Sequence, residues 1–131
     1  MIAEGPNAIV HDGTIFLIYS GSLVGIDYTT GLVTAPAGQG ADLTDASVWT
    51  KLDYPLQKSG MYNGRWQLGT GHGMWSHDED GNLIYVFHNA EYEHGRYGGR
   101  DAKCAACTGP RRACPFWICK RRRSLTPTML V

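Results

Sequence analysis

A chain of 131 residues holds one modest hydrophobic core and not two. Its 12 basic and 12 acidic residues cancel over the whole length, which argues against a nucleic-acid or membrane partner. No apolar run approaches the roughly 18 residues that span a bilayer.

The cancellation hides a division. Every acidic residue lies at or before Asp101, so residues 1–101 carry about −7 and residues 102–131 about +7. Cys104, Cys107, Cys114 and Cys119 all fall in the second segment. The N-terminus lacks the basic and then apolar stretch of a secretory signal, so a cytoplasmic location is expected if Met1 is the natural start. Seventeen glycines, seven tyrosines and four tryptophans, with almost no amphipathic helical pattern, point to an all-β chain of short strands and turns.

The chain opens on Glu4-Gly5-Pro6-Asn7. A carboxylic acid followed by two residues that constrain the backbone suits a proton donor aimed into a cleft; a solvated surface charge is the simpler reading. Thr14 to Ser20 (TIFLIYS) is β-branched and aromatic and follows the turn pair Asp12-Gly13, so it is expected as a buried strand entered from a hairpin. Further strands are expected over Leu23 to Tyr28, Leu32 to Ala35 and Val48 to Leu52. One helical turn within Ala41 to Trp49 would be capped by Asp42 or Thr44.

In Gly69-Thr70-Gly71-His72-Gly73-Met74, small neighbours let backbone crowd a narrow space and leave the imidazole to meet a metal or substrate. A hydrogen-bonded histidine in a glycine-rich turn is the alternative. Asp78, Glu79 and Asp80 lead into Gly81 and read as a hairpin turn, since a calcium loop needs a longer ligand series. Asn82 to His88 (NLIYVFH) then repeats the first strand: DGTIFLIYSGS aligns with DGNLIYVFHNA, Asp12 over Asp80. A repeat of that length holding several strands suggests propeller blades. Tyr19, Trp66 and Trp75 are candidates to stack on a ligand, although blade packing is the commoner fate of such side chains.

Taken in order, EGPNAIVHDGTIFLIYSGSLVG, DLTDASVWTKLDYPL and GTGHGMWSHDEDGNLIYVFHNA resemble glycoside hydrolase family 43 over nearly all of residues 3–101. The resemblance implies a five-bladed β-propeller of which residues 1–101 supply about two blades from the C-terminal part. It makes Glu4 the general acid, His72 a residue that helps hold a metal ion, commonly Ca2+ and mostly through water, and Arg100 in RYGGRDA a contact to the sugar. Trp49 and Lys51 match structural positions. The chain has Thr70 where the family often has proline. The implied substrates are arabinose- or xylose-containing oligosaccharides and polysaccharides, terminal α-L-arabinofuranosides first, hydrolysed with inversion.

Inversion needs a second carboxylate, roughly 6.5–9.5 Å from the first, to activate water. The resemblance assigns that base, and an aspartate tuning the acid, to blades preceding the EGP motif. The chain alone is therefore expected to be inactive, with at most weak carbohydrate binding.

Residues 102–131 are expected to form an irregular, disordered tail. Its cysteines and the run Lys120-Arg121-Arg122-Arg123 invite a metal- or nucleic-acid-binding reading, but the connection between the cysteine pairs is short for a zinc ribbon. A disulfide pair is a second possibility. Out-of-frame translation from about Lys103 is the third: a permitted choice of codons, read one frame over, spells a stretch resembling the family's last blade.

Overall fold

The structure is a computed structural model and describes residues 2–62, 65–93, 96–108 and 118–124. β1 (Ile2–His11), β2 (Thr14–Ser22), β3 (Thr29–Pro36) and β4 (Thr50–Lys51) form one antiparallel sheet in chain order. A second sheet follows in the same manner, with β5 (Gly60–Tyr62), β6 (Arg65–His77), β7 (Leu83–Glu93), β8 (Arg96–Thr108) and β9 (Ile118–Ser124). Each is a meander, the arrangement that short strands and tight turns produce without a crossover helix. The sheets meet where β6 packs on β1, β2 and β3. The fold is all-β, a partial propeller of two blades, as the sequence leads one to expect.

The two turn pairs close the expected hairpins. Asp12 and Gly13 have φ of 46° and 73°, the left-handed pair that matches strand twist, and His11 pairs with Thr14 across them. In the second hairpin the Asp78 carboxylate accepts from the N–H groups of Asp80 (3.1 Å) and Asn82 (2.7 Å). The acidic cluster is thus turn chemistry, as expected.

Other local expectations change. Leu23 to Tyr28 is not a strand but the connection between β2 and β3. Pairing of those strands ends at Gly21 and Thr29, and the loop closes with Tyr28 N–H donating to Gly25 O at 3.1 Å. The helical turn contracts to Ala46–Val48 and is capped by Asp45, whose carboxylate accepts from Ser47 N–H at 2.8 Å. Asp42 instead binds the N–H and hydroxyl of Thr44, which removes it as a cap. The strand expected over Val48 to Leu52 shortens to Thr50–Lys51, the residues that find partners on β3.

The expected boundary near residue 101 is crossed by β8, which pairs with β7 from Glu93↔Arg96 to Ile84↔Ala106. β9 pairs in turn with β8. The physical reason is the outer edge of β7, whose backbone groups need partners and whose Tyr85 and Phe87 offer an apolar face that Ala105, 1 % exposed, helps cover. Residues 109–117 and 125–131 of the expected tail lie outside the described residues. Cys114 is among them, so the thiolate and disulfide readings of the cysteine set fall there as well.

The core sits between the blades. Ile18 and Leu32 from the first face Trp75, Tyr85, Phe87 and Ala105 from the second, with Ile9, Phe16, Leu52, Leu56 and Leu83 packed around them. Burying a side chain such as Ile18 or Leu32 contributes roughly 1.5–3 kcal/mol. Polar bonds fix the register of blade on blade: Thr30 Oγ1 to Tyr85 Oη at 2.7 Å, Trp75 Nε1–H to Phe16 O at 3.2 Å, and Trp75 N–H to Asn7 Oδ1 at 2.8 Å. Asn7 therefore ties the strand of Glu4 to the strand of His72.

Candidate functional site

Glu4 lies on β1 opposite Ser20, just before an irregularity that spans Glu4 to Asn7. Gly5 there adopts φ of 59°, and Pro6 has no N–H to donate to the ladder, so the strand bends at these two residues. A Cβ on Gly5 would stand 3.2 Å from Cε1 and Nδ1 of His72. The missing side chain lets the backbone beside Glu4 lie against the imidazole edge.

His72 comes from the other blade. β6 loses register on either side of Gly71, and His72 itself has φ of 47°, a conformation that costs a non-glycine residue roughly 1–3 kcal/mol. Its N–H donates to Ser20 Oγ at 2.7 Å, which helps hold it there. The glycine-flanked histidine is thus a bulge in a long strand, with its imidazole turned toward the blade of Glu4.

Tyr28 joins the two. Its O–H donates to Glu4 Oε1 at 2.7 Å, and its oxygen lies 3.3 Å from His72 Nδ1. The tyrosine is 2 % exposed, whereas Glu4 is half-buried and His72 is exposed. Stacking on His88, with centroids 5.9 Å apart and planes 21° apart, fixes the phenol ring, and a Cβ on Gly71 would stand 2.6 Å from it.

Burial pushes the Tyr28 phenol above its ordinary range; a hydrogen bond with Ser20 opposes this, the Glu4 carboxylate adds to it, and the Arg100 charge opposes it. Burial also holds the His88 imidazole below its usual range, and the nearby charges of Arg100 and His72 act in the same direction. Of the residues singled out in the sequence, Glu4 and His72 are brought onto one phenol. The charge of Arg100, an exposed residue of β8, acts on that phenol and on its stacking partner.

Tyr28, Ser20 and His88 are the site residues that sequence reasoning missed. One signal was present: in the aligned copies Ser20 stands over His88, and the fold brings both to Tyr28. The three aromatic candidates separate. Trp75 is core, the ring of Tyr19 lies over Gly31, and Trp66 is 66 % exposed. Lys51 pairs with Val33, and Trp49 donates its indole N–H to Leu43 O at 3.0 Å, so both act in the framework.

Ca2+ takes about six to eight oxygen ligands. Among the described residues no three His, Cys, Asp or Glu side chains converge to hold a metal ion.

The half-buried Glu4 carboxyl thus has one oxygen bound by Tyr28, beside the His72 imidazole and within reach of the Arg100 charge. The family model of the glycosyl hydrolases family 43 matches residues 1–107, and the chain belongs to that family. It is 39% identical over 93 residues to an extracellular exo-α-(1→5)-L-arabinofuranosidase of Streptomyces avermitilis, a match covering 70% of this chain and 18% of that protein. Among solved structures it is similar to an α-L-arabinofuranosidase from Lactobacillus brevis (TM-score 0.68, 26% identity, 88% of this chain and 38% of that one). It is also similar to an endo-1,4-β-xylanase from Bacteroides thetaiotaomicron (TM-score 0.63, 26% identity, 82% and 34%). The chain thus spans between about a fifth and two-fifths of the length of these relatives.

Proposed function

We propose that this segment supplies the general acid of an inverting glycosidase, with Glu4 protonating the glycosidic oxygen as it leaves. The observation that carries the reading is the Glu4 carboxyl itself, half-buried at the junction of two blades and held at one oxygen by Tyr28. An acid so held keeps its second oxygen in a fixed direction. Positioned general-acid catalysis of this kind contributes typically about 10²–10⁴-fold. Arg100, whose charge reaches the same place, is read as a contact to substrate hydroxyls in the innermost subsite.

Terminal α-L-arabinofuranosides are the proposed substrate class, with xylose-containing saccharides next. The arabinofuranosidase and xylanase relatives support both. A cation at His72, calcium first, would be held through water and through groups that the described residues do not include; no part of this reading depends on it.

A second reading applies to the polypeptide of residues 1–131 taken alone: no turnover, and at most weak carbohydrate binding. It is favoured by the engagement of other carboxylates elsewhere. Asp42 and Asp45 serve the loop after β3, and Asp78 serves the β6–β7 turn. An inverting mechanism needs a base as well as an acid.

The test replaces the matched segment of the Streptomyces relative with residues 1–107 and follows 4-nitrophenyl α-L-arabinofuranoside. Hydrolysis with inversion at the anomeric carbon, abolished by Glu4→Gln, is expected. Equal rates for the hybrid and its Glu4→Gln variant remove Glu4 from catalysis, and measurable turnover by the 131-residue chain alone overturns the second reading.

A further inference from the structure

The polar atoms around Tyr28 admit one arrangement of protons when Glu4 is ionised. A carboxylate only accepts, so the Tyr28 O–H is committed to Glu4 Oε1 at 2.7 Å. The phenol oxygen then has lone pairs and no proton left for its other neighbours. Ser20, which acts on that phenol, takes the His72 N–H on its own hydroxyl oxygen at 2.7 Å. Among the described residues the phenol oxygen's other polar neighbour is His72 Nδ1 at 3.3 Å. Two lone pairs facing each other would repel, so this contact needs a proton on nitrogen.

From this we propose that His72, Tyr28 and Glu4 form a directed hydrogen-bond chain, His72 Nδ1–H to Tyr28 Oη and Tyr28 O–H to Glu4 Oε1. The chain holds His72 as the Nδ1-protonated tautomer with Nε2 bare, and leaves Glu4 Oε2 as the oxygen open to take up the transferable proton. The second half rests on the reading of Glu4 as the acid; the first half does not.

Tyr28 and His72 are positioning residues in this scheme. The phenol ring has little freedom to break the chain. His88 stacks on one side of it, Gly71 leaves only the room the ring occupies, and the backbone of Gly5 lies along the imidazole edge. The bare Nε2 of an exposed imidazole then faces outward as an acceptor, for a cation or for a sugar hydroxyl. The bulge at which His72 adopts φ of 47° is also where its Nδ1 meets the phenol.

Nitrogen-15 NMR of the whole 131-residue chain tests the arrangement without catalysis. At pH 8.5, above the ordinary imidazole range, His72 is expected to show a protonated Nδ1 and an unprotonated Nε2, with the resonance assigned by its loss in His72→Gln. Tyr28→Phe keeps the ring and its stack on His88 and is expected to shift His72 toward the Nε2-protonated form that an unconstrained histidine side chain favours. A wild-type His72 protonated at Nε2 overturns the proposal, and this result needs no variant to fold. So does a tautomer that Tyr28→Phe leaves unchanged while the His88 signals stay in place. The expected tautomer together with a hydrolase indifferent to Glu4→Gln would keep the hydrogen-bond chain and remove the acid role.

Discussion

Gly71 and Tyr28 occupy neighbouring blades so closely that a single added carbon separates them: a Cβ on Gly71 would stand 2.6 Å from the Tyr28 ring. The ring sits there because its hydroxyl is bound to Glu4 and its face to His88, so it has no direction in which to yield. Gly71→Ala is expected to destabilise the chain by about 1–3 kcal/mol, the usual cost of overpacking. Gly38→Ala, at a position where a Cβ meets nothing within 4 Å, is expected to be neutral or to stabilise by up to about 1 kcal/mol. Urea denaturation of the pair checks both.

The hydrogen bond between Thr30 and Tyr85 crosses from one blade to the other at 2.7 Å, with Thr30 1 % and Tyr85 3 % exposed. Removing either hydroxyl breaks this bond inside the core. Thr30→Val and Tyr85→Phe are each expected to cost about 1–3 kcal/mol, and the double variant less than their sum. A double-mutant cycle by chemical denaturation measures the difference.

Much of the fold is legible in the residues themselves. Asp12-Gly13 and Asp80-Gly81 announce hairpins through local chemistry, and TIFLIYS and NLIYVFH announce the strands they enter. The EGP and GHG motifs locate Glu4 and His72. Tyr28 is not legible, because its partners lie 24 and 44 residues away and its own segment, with Leu23, Val24 and Ile26 around Gly25, has the composition of a strand. Those apolar residues are exposed and the segment turns back. Nor does local pattern reveal that β8 continues past residue 101: charge and cysteine content change there, while the pairing edge of β7 does not.

The imidazole of His88 is held below its usual range by burial, with Arg100 and His72 adding to the effect. The unfolded chain therefore binds a proton that the folded chain resists, and the sign follows. His88's contribution to stability is fully present above the ordinary imidazole range near about 6.5 and is lost as pH falls from there toward the lowered folded-state value. Melting temperatures taken from pH 7.5 down to 5 are expected to fall, and His88→Phe, which keeps a ring against Tyr28 but has no proton to bind, is expected to flatten that fall.

Asn7 supplies the oxygen that accepts Trp75 N–H at 2.8 Å, and with it the alignment of the Glu4 strand on the His72 strand. Asn7→Ala is expected to cost about 1–3 kcal/mol by removing this hydrogen bond between the blades. In the hybrid enzyme it is also expected to lower kcat more than it raises KM, since it disturbs the placing of Glu4, the proposed acid. Denaturation and steady-state kinetics of the same variant check the two effects.

Leaving-group dependence in the hybrid enzyme carrying residues 1–107 tests the role of Glu4 most directly, because only a poor leaving group needs a proton in the transition state. With Glu4→Gln, hydrolysis of methyl α-L-arabinofuranoside is expected to fall by about 10²-fold or more, while that of the 2,4-dinitrophenyl glycoside, whose leaving group departs as an anion, is expected to fall far less. Equal losses on both substrates, or none on either, would contradict the assignment of Glu4 as the acid.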